Sequence, residues 1–175
     1  MPDKPYNVLF ICTHNSARSL FAEAILNREG QGKFRGFSAG SHPAEAANPY
    51  ALELLARVNH KLDDPTPKDW SVFSQPDAPQ MDFVFTVCDQ AAAEECPVWP
   101  GQPMSAHWGV PNPTAVEGNE AEKRVAFNEA YKTLLTRISI FVNLPMESLD
   151  RLSLQERLDE IGQTPATQDG AAVDA

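Results

Sequence analysis

Val8-Leu9-Phe10-Ile11-Cys12-Thr13-His14-Asn15-Ser16-Ala17-Arg18-Ser19-Leu20-Phe21 begins with four apolar residues in an unbroken row. A row without alternation marks a strand buried on both faces of a parallel sheet. The eight residues from Cys12 to Ser19 are polar or small. After them Leu20, Phe21, Ala24 and Ile25 recur at helical spacing, and Gly30 supplies a C-cap signal. The segment reads strand, loop, helix. A loop wrapped around a helix start turns several backbone N–H groups toward one point and makes a nest for a tetrahedral oxyanion. Arg18 adds a fork that grips two oxygens at once, which lysine cannot do. The same field stabilises a thiolate, so Cys12 is expected to be nucleophilic near neutral pH. Ser19 is placed to donate to the sulfur. Asn15 is suited to bracing the loop, since it tolerates left-handed backbone angles and bonds neighbouring amides. Thr13, His14, Ser16 and Ala17 complete the expected oxyanion-binding loop. The competing reading makes Cys12 a small buried strand-end residue and Arg18 a solvated helix residue. The position between a buried strand and a helix start favours the anion site.

The rest of the chain continues the alternation. Phe34 to Ala39 reads as a second strand closed by Gly40 and Ser41. Pro49 to Val58 reads as a helix with Asn48 as N-cap, Pro49 at the first position, and Leu52, Leu55 and Ala56 inward. Phe83 to Val87 reads as another buried strand ending at Cys88. Five prolines between 97 and 113 mark a loop, within which Met104 to Trp108 forms a short strand. Asn119 to Val142 is the longest helical stretch, with Val125, Phe127, Ala130, Leu134, Ile138 and Phe141 as its apolar positions. Ser148 is expected to cap a last helix running to Ile161, with Leu149, Leu152, Leu158 and Ile161 inward. These elements predict an α/β three-layer sandwich around a central, mainly parallel four-stranded sheet. Ligands bind beyond the carboxyl ends of strands in such sheets, where Cys12 and Cys88 both fall. Residues 1–162 form one expected domain, and the small polar residues 163–175 an expected disordered tail.

Composition limits the partners. A formal net charge of -10 opposes binding to nucleic acid or to an anionic membrane, so an anionic substrate needs a local positive site. No apolar run approaches the roughly 20 residues that span a bilayer, and no secretion signal opens the chain. The expected location is the cytoplasm. Three cysteines, Cys12, Cys88 and Cys96, then read as reactive or buried rather than permanently bridged. A zinc site from Cys12, His14, Cys88 and Cys96 lacks the close paired spacing of structural zinc, and Arg18 is a poor neighbour for a cation. No metal or cofactor is expected. Cys88 and Cys96 stand eight residues apart across a helix-prone segment. On a straight helix that is about 12 Å, too far for a disulfide, so a bridge requires the segment to unwind. The alternative is two structural cysteines. Trp99, His107 and Trp108 are expected to pack or line the loop.

The Cys12–Ser19 segment resembles the phosphate-binding loop of the low-molecular-weight protein tyrosine phosphatase superfamily. The similarity runs through the following helix and the Phe34–Gly40 strand to His107-Trp108-Gly109. Within that superfamily the pattern is most similar to the arsenate reductases, at Cys12–Ser19, at Cys88 and Cys96, and at the His-Trp-Gly with its proline-containing loop. The resemblance implies that Cys12 attacks arsenate, that arsenite leaves, and that Cys88 captures the oxidised sulfur. It implies further that Cys96 passes the disulfide on to thioredoxin, or that glutathione and glutaredoxin serve instead. Two positions depart from the pattern. His14 stands where many members have glycine. Asn112 stands directly before Pro113, where the family's general acid is aspartate. An amide cannot supply that proton, and acid assistance is typically worth about 10²–10⁴-fold. Asp89 and Glu94 are nearby in sequence, with nothing to orient them. Thr114-Ala115-Val116 also lacks the tyrosines that line a phosphotyrosine slot. The resemblance therefore implies arsenate reduction first and phosphate-monoester hydrolysis second. A non-catalytic oxyanion sensor is the third reading.

Overall fold

Val8, Leu9, Phe10 and Ile11 have no solvent exposure, so the strand that carries them lies in the middle of the sheet. The computed structural model describes residues 4–60, 62, 64–88 and 99–165. This first strand, β1 (Tyr6–Cys12), pairs in parallel with β2 (Phe34–Gly40) on one side and β3 (Phe83–Thr86) on the other. The last strand, β4 (Met104–His107), pairs in parallel with β3, giving the order β2-β1-β3-β4. The protein is α/β with a central parallel four-stranded sheet. All three pairings run the same way, so the carboxyl ends of the strands share one edge.

The helices are α1 (Arg18–Glu29), α2 (Pro49–Arg57), α3 (Glu120–Val142) and α4 (Arg151–Ile161). Phe10 faces the layer that holds α1 and α3. Its ring meets Phe85 and Trp108, and Phe141 of α3 packs edge-on against Phe83, Phe85 and Trp108. Phe21 of α1 meets Phe127 and Tyr131 of α3 edge-on, joining the two helices. Each buried aromatic ring of this kind contributes about 1.5–3 kcal/mol, so this cluster anchors the sheet to its helical cover. Leu9 and Phe37 share the opposite face, where Phe37 packs on Phe73 of a 3-10 turn, Trp70–Ser74.

Several sequence expectations shift in register. In α2 the buried residues are Ala51, Leu54 and Leu55, while Leu52 is 40% exposed and Ala56 is also exposed. Asn48 caps the helix as expected, and its phase puts the 51/54/55 stripe inward. Val125 is 58% exposed because it sits two residues, about 200°, from Phe127 on the inward stripe of α3. The last helix is capped by Asp150, which accepts from the Ser153 N–H, and not by Ser148. That start turns Leu154, Leu158 and Ile161 inward and leaves Leu152 72% exposed. β4 ends at His107, one residue before Trp108. Cys96, Asp89 and Glu94, and residues 166–175 of the expected tail, lie outside the described residues.

Candidate active site

β1 delivers Cys12 at its last position, opposite Gly40 of β2. From there the chain turns through residues 13–17 into α1. Asn15 takes φ of 50°, the left-handed region that asparagine tolerates better than most residues. The loop's carbonyls are secured on its outer side. The N–H groups of Ser41, His42, Ala44 and Asn48 donate to the carbonyls of Cys12, Thr13, His14 and Ser16 at 3.3, 2.8, 3.0 and 2.9 Å. In a planar trans peptide the following N–H points opposite to the carbonyl. The N–H groups of Thr13, His14, Asn15 and Ala17 therefore turn inward. Asn15 N–H reaches the Cys12 Sγ at 3.2 Å. Ala17 begins α1 with no side-chain cap, so the helix presents its own N–H groups and positive end to the same space. The loop therefore gathers backbone N–H groups and the positive end of α1 around the Cys12 sulfur.

The sulfur is bracketed. Ser19 Oγ lies 2.9 Å from Cys12 Sγ, both buried. Asn15 Oδ1 accepts the Lys68 N–H at 2.8 Å, which turns its Nδ2 to donate to Ser19 Oγ at 2.8 Å. The Ser19 oxygen accepts from Asn15, and toward a thiolate, which can only accept, its hydroxyl hydrogen points to the sulfur. A thiolate at Cys12 thus receives two donors, Ser19 and the Asn15 amide. Gly40 permits the close approach behind the loop. A Cβ there would lie 2.6 Å from the Thr13 carbonyl oxygen and 3.0 Å from the Asn15 nitrogen.

Arg18 occupies the first turn of α1, and its guanidinium donates to the Val110 carbonyl at 2.9 Å. That bond ties the anion loop to the segment after β4. Between them is a cleft of about 510 Å³, with Thr13, His14 and Arg18 on one wall and residues 109–112 on the other. Cys88 lines the same cleft although it is only 2% exposed, and its Sγ lies 3.4 Å from Thr13 Oγ1. Cys12 and Cys88 are both buried. His14 is exposed, with Nδ1 3.0 Å from the His42 carbonyl. The carbonyl can only accept, so Nδ1 carries the hydrogen. Asn112 is exposed and uses its oxygen to cap the short 3-10 turn Pro113–Ala115, accepting from Thr114 N and Oγ1 at 3.0 and 2.8 Å. His107 Nδ1 meets Thr86 Oγ1 at 2.8 Å, and Trp108 stacks on Phe85 at 3.9 Å between ring centres.

The structure thus brings Cys12, Thr13, His14, Asn15, Ser16, Ala17, Arg18, Ser19, Cys88 and Asn112 to one edge of the sheet. Sequence reading missed four supports: residues 41–48 that hold the loop's carbonyls, Gly40 as the point of closest approach, the Lys68 amide, and Val110 as the partner of Arg18. A glycine closing a strand pattern was a usable signal for Gly40. The others act through backbone atoms, which any residue type supplies. Among the described residues, no three His, Cys, Asp or Glu side chains gather as metal ligands would. None of the described helices is long and apolar enough to cross a membrane.

Residues 7–152 match the sequence profile of the low molecular weight phosphotyrosine protein phosphatase family. The arsenate reductase of Shouchella clausii is 31% identical over 134 residues, which is 77% of this chain and 93% of that protein. An arsenate reductase from Archaeoglobus fulgidus superposes with a TM-score of 0.59 at 28% identity, covering 78% of this chain and 99% of the other. A thioredoxin-dependent arsenate reductase from Corynebacterium glutamicum gives 0.53 at 25% identity, covering 81% and 65%. On the profile match and on these relatives, the chain belongs to the low molecular weight phosphotyrosine protein phosphatase family.

Proposed function

We propose that this protein is an arsenate reductase in which Cys12 is the nucleophile and Cys88 the second thiol. The observation that carries this reading is the cleft itself. Cys12 is bracketed by donors at the head of the loop, a second cysteine, Cys88, lines the adjoining cleft, and the cleft wall carries the amide Asn112. In the first step the Cys12 thiolate attacks arsenic, an As–O bond breaks as the S–As bond forms, and the hydroxyl group leaves as hydroxide that takes its proton from solvent. Residues 13–17 and Arg18 hold the remaining oxygens through the inward N–H groups and the guanidinium. In the second step the Cys88 thiolate attacks Cys12 Sγ. The S–As electron pair stays on arsenic, which leaves as arsenite, reduced by two electrons, while the two sulfurs become a disulfide. A dithiol donor then reduces that disulfide.

Thioredoxin is the proposed donor, supported by the similarity to the thioredoxin-dependent arsenate reductase of Corynebacterium glutamicum. Glutathione with glutaredoxin is the alternative. Cys96 is proposed to carry the disulfide outward. Residues 1–162 are taken as one catalytic domain, supported by a single continuous core running from Val8 to Ile161. A reducing cytoplasm suits a chemistry that begins from free thiols.

Hydrolysis of phosphate monoesters is the second reading, favoured by the family's own activity. It uses Cys12 and Arg18 and leaves Cys88 idle, and it needs a proton donor where Asn112 caps a turn. Arsenate-dependent oxidation of NADPH, coupled through thioredoxin and its reductase, tests the choice. Turnover with arsenate and little release of aryl alcohol from aryl phosphates is the expected result. Efficient aryl-phosphate hydrolysis without arsenate reduction would reverse the order.

A further inference from the structure

Arg137 interrupts the apolar stripe of α3 with a charge that is only 6% exposed. Its hydrogen bonds run to three backbone carbonyls: Nη1 to Trp108 and Gly109 at 3.1 and 3.0 Å, and Nε to Thr164 at 3.0 Å. Burial pulls its pKa below the ordinary arginine value, and the three carbonyls compensate the buried charge. Two of the three carbonyls belong to the segment that enters the cleft wall, and the third follows α4. More bonds join the same two regions. Trp108 Nε1 donates to the Leu158 carbonyl at 2.9 Å, and Gln155 Nε2 donates to the Ser105 carbonyl of β4 at 2.8 Å. Gly162 approaches so closely that a Cβ would lie 2.4 Å from the His107 carbonyl oxygen. One residue beyond Gly109, the Val110 carbonyl accepts from Arg18. The family match ends at residue 152, so most of α4 and Thr164 lie past it.

We infer that Arg137 is a positioning residue for the anion site: with α4 it clamps the 108–110 segment, whose Val110 carbonyl in turn aims the Arg18 guanidinium. The carbonyls of Trp108 and Gly109 are fixed from behind by one rigid cation. Val110 is fixed from the front, where its N–H donates to the Val87 carbonyl at 2.9 Å. The bracket around Cys12, made by Ser19 and Asn15, does not pass through this segment. Loosening the clamp therefore weakens the grip on a bound oxyanion and leaves the thiolate's own surroundings intact. The inference rests on the reading of residues 12–19 as an anion site.

The test uses the full chain and inorganic phosphate as probe, with three readouts: phosphate Kd, the anion-free rate of Cys12 alkylation by iodoacetamide, and urea unfolding. Arg137→Met is expected to raise the phosphate Kd about tenfold, the loss of roughly one well-aimed charged hydrogen bond, with alkylation within about twofold of wild type. Arg137→Lys should recover part of the affinity. In an Arg18→Lys background the Arg137→Met effect on Kd should largely vanish, because one residue acts through the other. Should Arg137→Met not fold, Trp108→Phe, which deletes the bond to Leu158 together with part of a buried ring, is expected to raise the Kd about threefold, with its own stability loss read in the urea unfolding. An unchanged Kd accompanied only by lower stability, or an equal rise in both backgrounds, overturns the inference. Wild-type protein that binds no phosphate overturns the anion site itself, and this inference with it.

Discussion

Ser19 has two neighbours and one hydrogen to give. Its oxygen accepts from Asn15, and a Cys12 thiolate, which can only accept, takes that hydrogen. Replacing Ser19 by alanine removes one of the two donors that a Cys12 thiolate receives. Hydrogen bonds to charged groups contribute about 1.5–3 kcal/mol, so alkylation of Cys12 at neutral pH should slow by about tenfold or more in Ser19→Ala. A stopped-flow alkylation rate equal to wild type would show that the Ser19 contact does nothing for the thiolate. Asn112 makes the opposite case, a residue whose chemistry is absent and whose structural task is kept. Its oxygen caps the Pro113–Ala115 turn, and an aspartate oxygen would do the same. Asn112→Asp should therefore fold as wild type and gain aryl-phosphatase activity by about 10²-fold, with arsenate reduction little changed. Assays of both substrates on the one variant settle it; no gain in phosphatase rate contradicts the leaving-group explanation.

The anion loop takes its shape from the segment behind it. Four carbonyls of residues 12–16 accept from N–H groups between 41 and 48, and Gly40 lets the two layers touch. Gly40→Ala places a methyl 2.6 Å from a backbone oxygen that cannot move without dragging the loop. A loss of about 1–3 kcal/mol in urea unfolding is expected, with arsenate turnover falling by at least about tenfold. By contrast Asn119→Ala removes the capping box of α3 at a position that does not line the cleft, and should cost about 1 kcal/mol while leaving turnover of the folded protein unchanged. Most elements could be read from the chain, because an unbroken apolar row, Gly30, Asn48-Pro49 and Asn119 are local signals with local causes. Register was harder. Whether Leu52 or Leu54 faces inward depends on where the helix starts and on what covers it, and both leucines fit a helix equally well. Cys12, Arg18, Ser19 and Asn15 stand out in the sequence because their contacts are made by side chains. Lys68 and Val110 do not, because they serve through their backbones. Arg137 was hidden for a third reason: an arginine on a helix usually marks its solvated face.

Across the whole molecule, His60 is the buried histidine whose titration bears on stability. It is 5% exposed, hydrogen-bonds Tyr131 through Nδ1 at 2.6 Å, and has no partner for Nε2 among the described residues. Burial, reinforced by Arg28, lowers its pKa from 6.5 to about 4. The folded protein therefore holds His60 neutral while the unfolded chain takes up a proton below pH 6.5. The unfolded state binds more protons in that interval, so stability falls as pH drops from about 6.5 toward 4. Between pH 7 and 4.5 this single group should account for about 2 kcal/mol, seen as a steeper loss in wild type than in His60→Gln by urea unfolding. Equal slopes in the two proteins would assign the acid sensitivity elsewhere. A net charge of -10 has its own consequence. The surrounding field repels an oxyanion, so added salt should tighten phosphate binding until the salt's own anion competes for the nest.

The relay is the decisive point, since a nucleophilic cysteine in an anion nest serves hydrolysis as readily as reduction. Wild-type protein should be mixed with excess arsenate in the absence of any external thiol, and both arsenite and the cysteine pairings measured by mass spectrometry. One arsenite per chain together with a disulfide that contains Cys88 is the expected result, and Cys88→Ser should release almost none. Arsenite release that continues past one equivalent without a disulfide, or that survives Cys88→Ser undiminished, would contradict the assignment of Cys12 and Cys88 as a reducing pair.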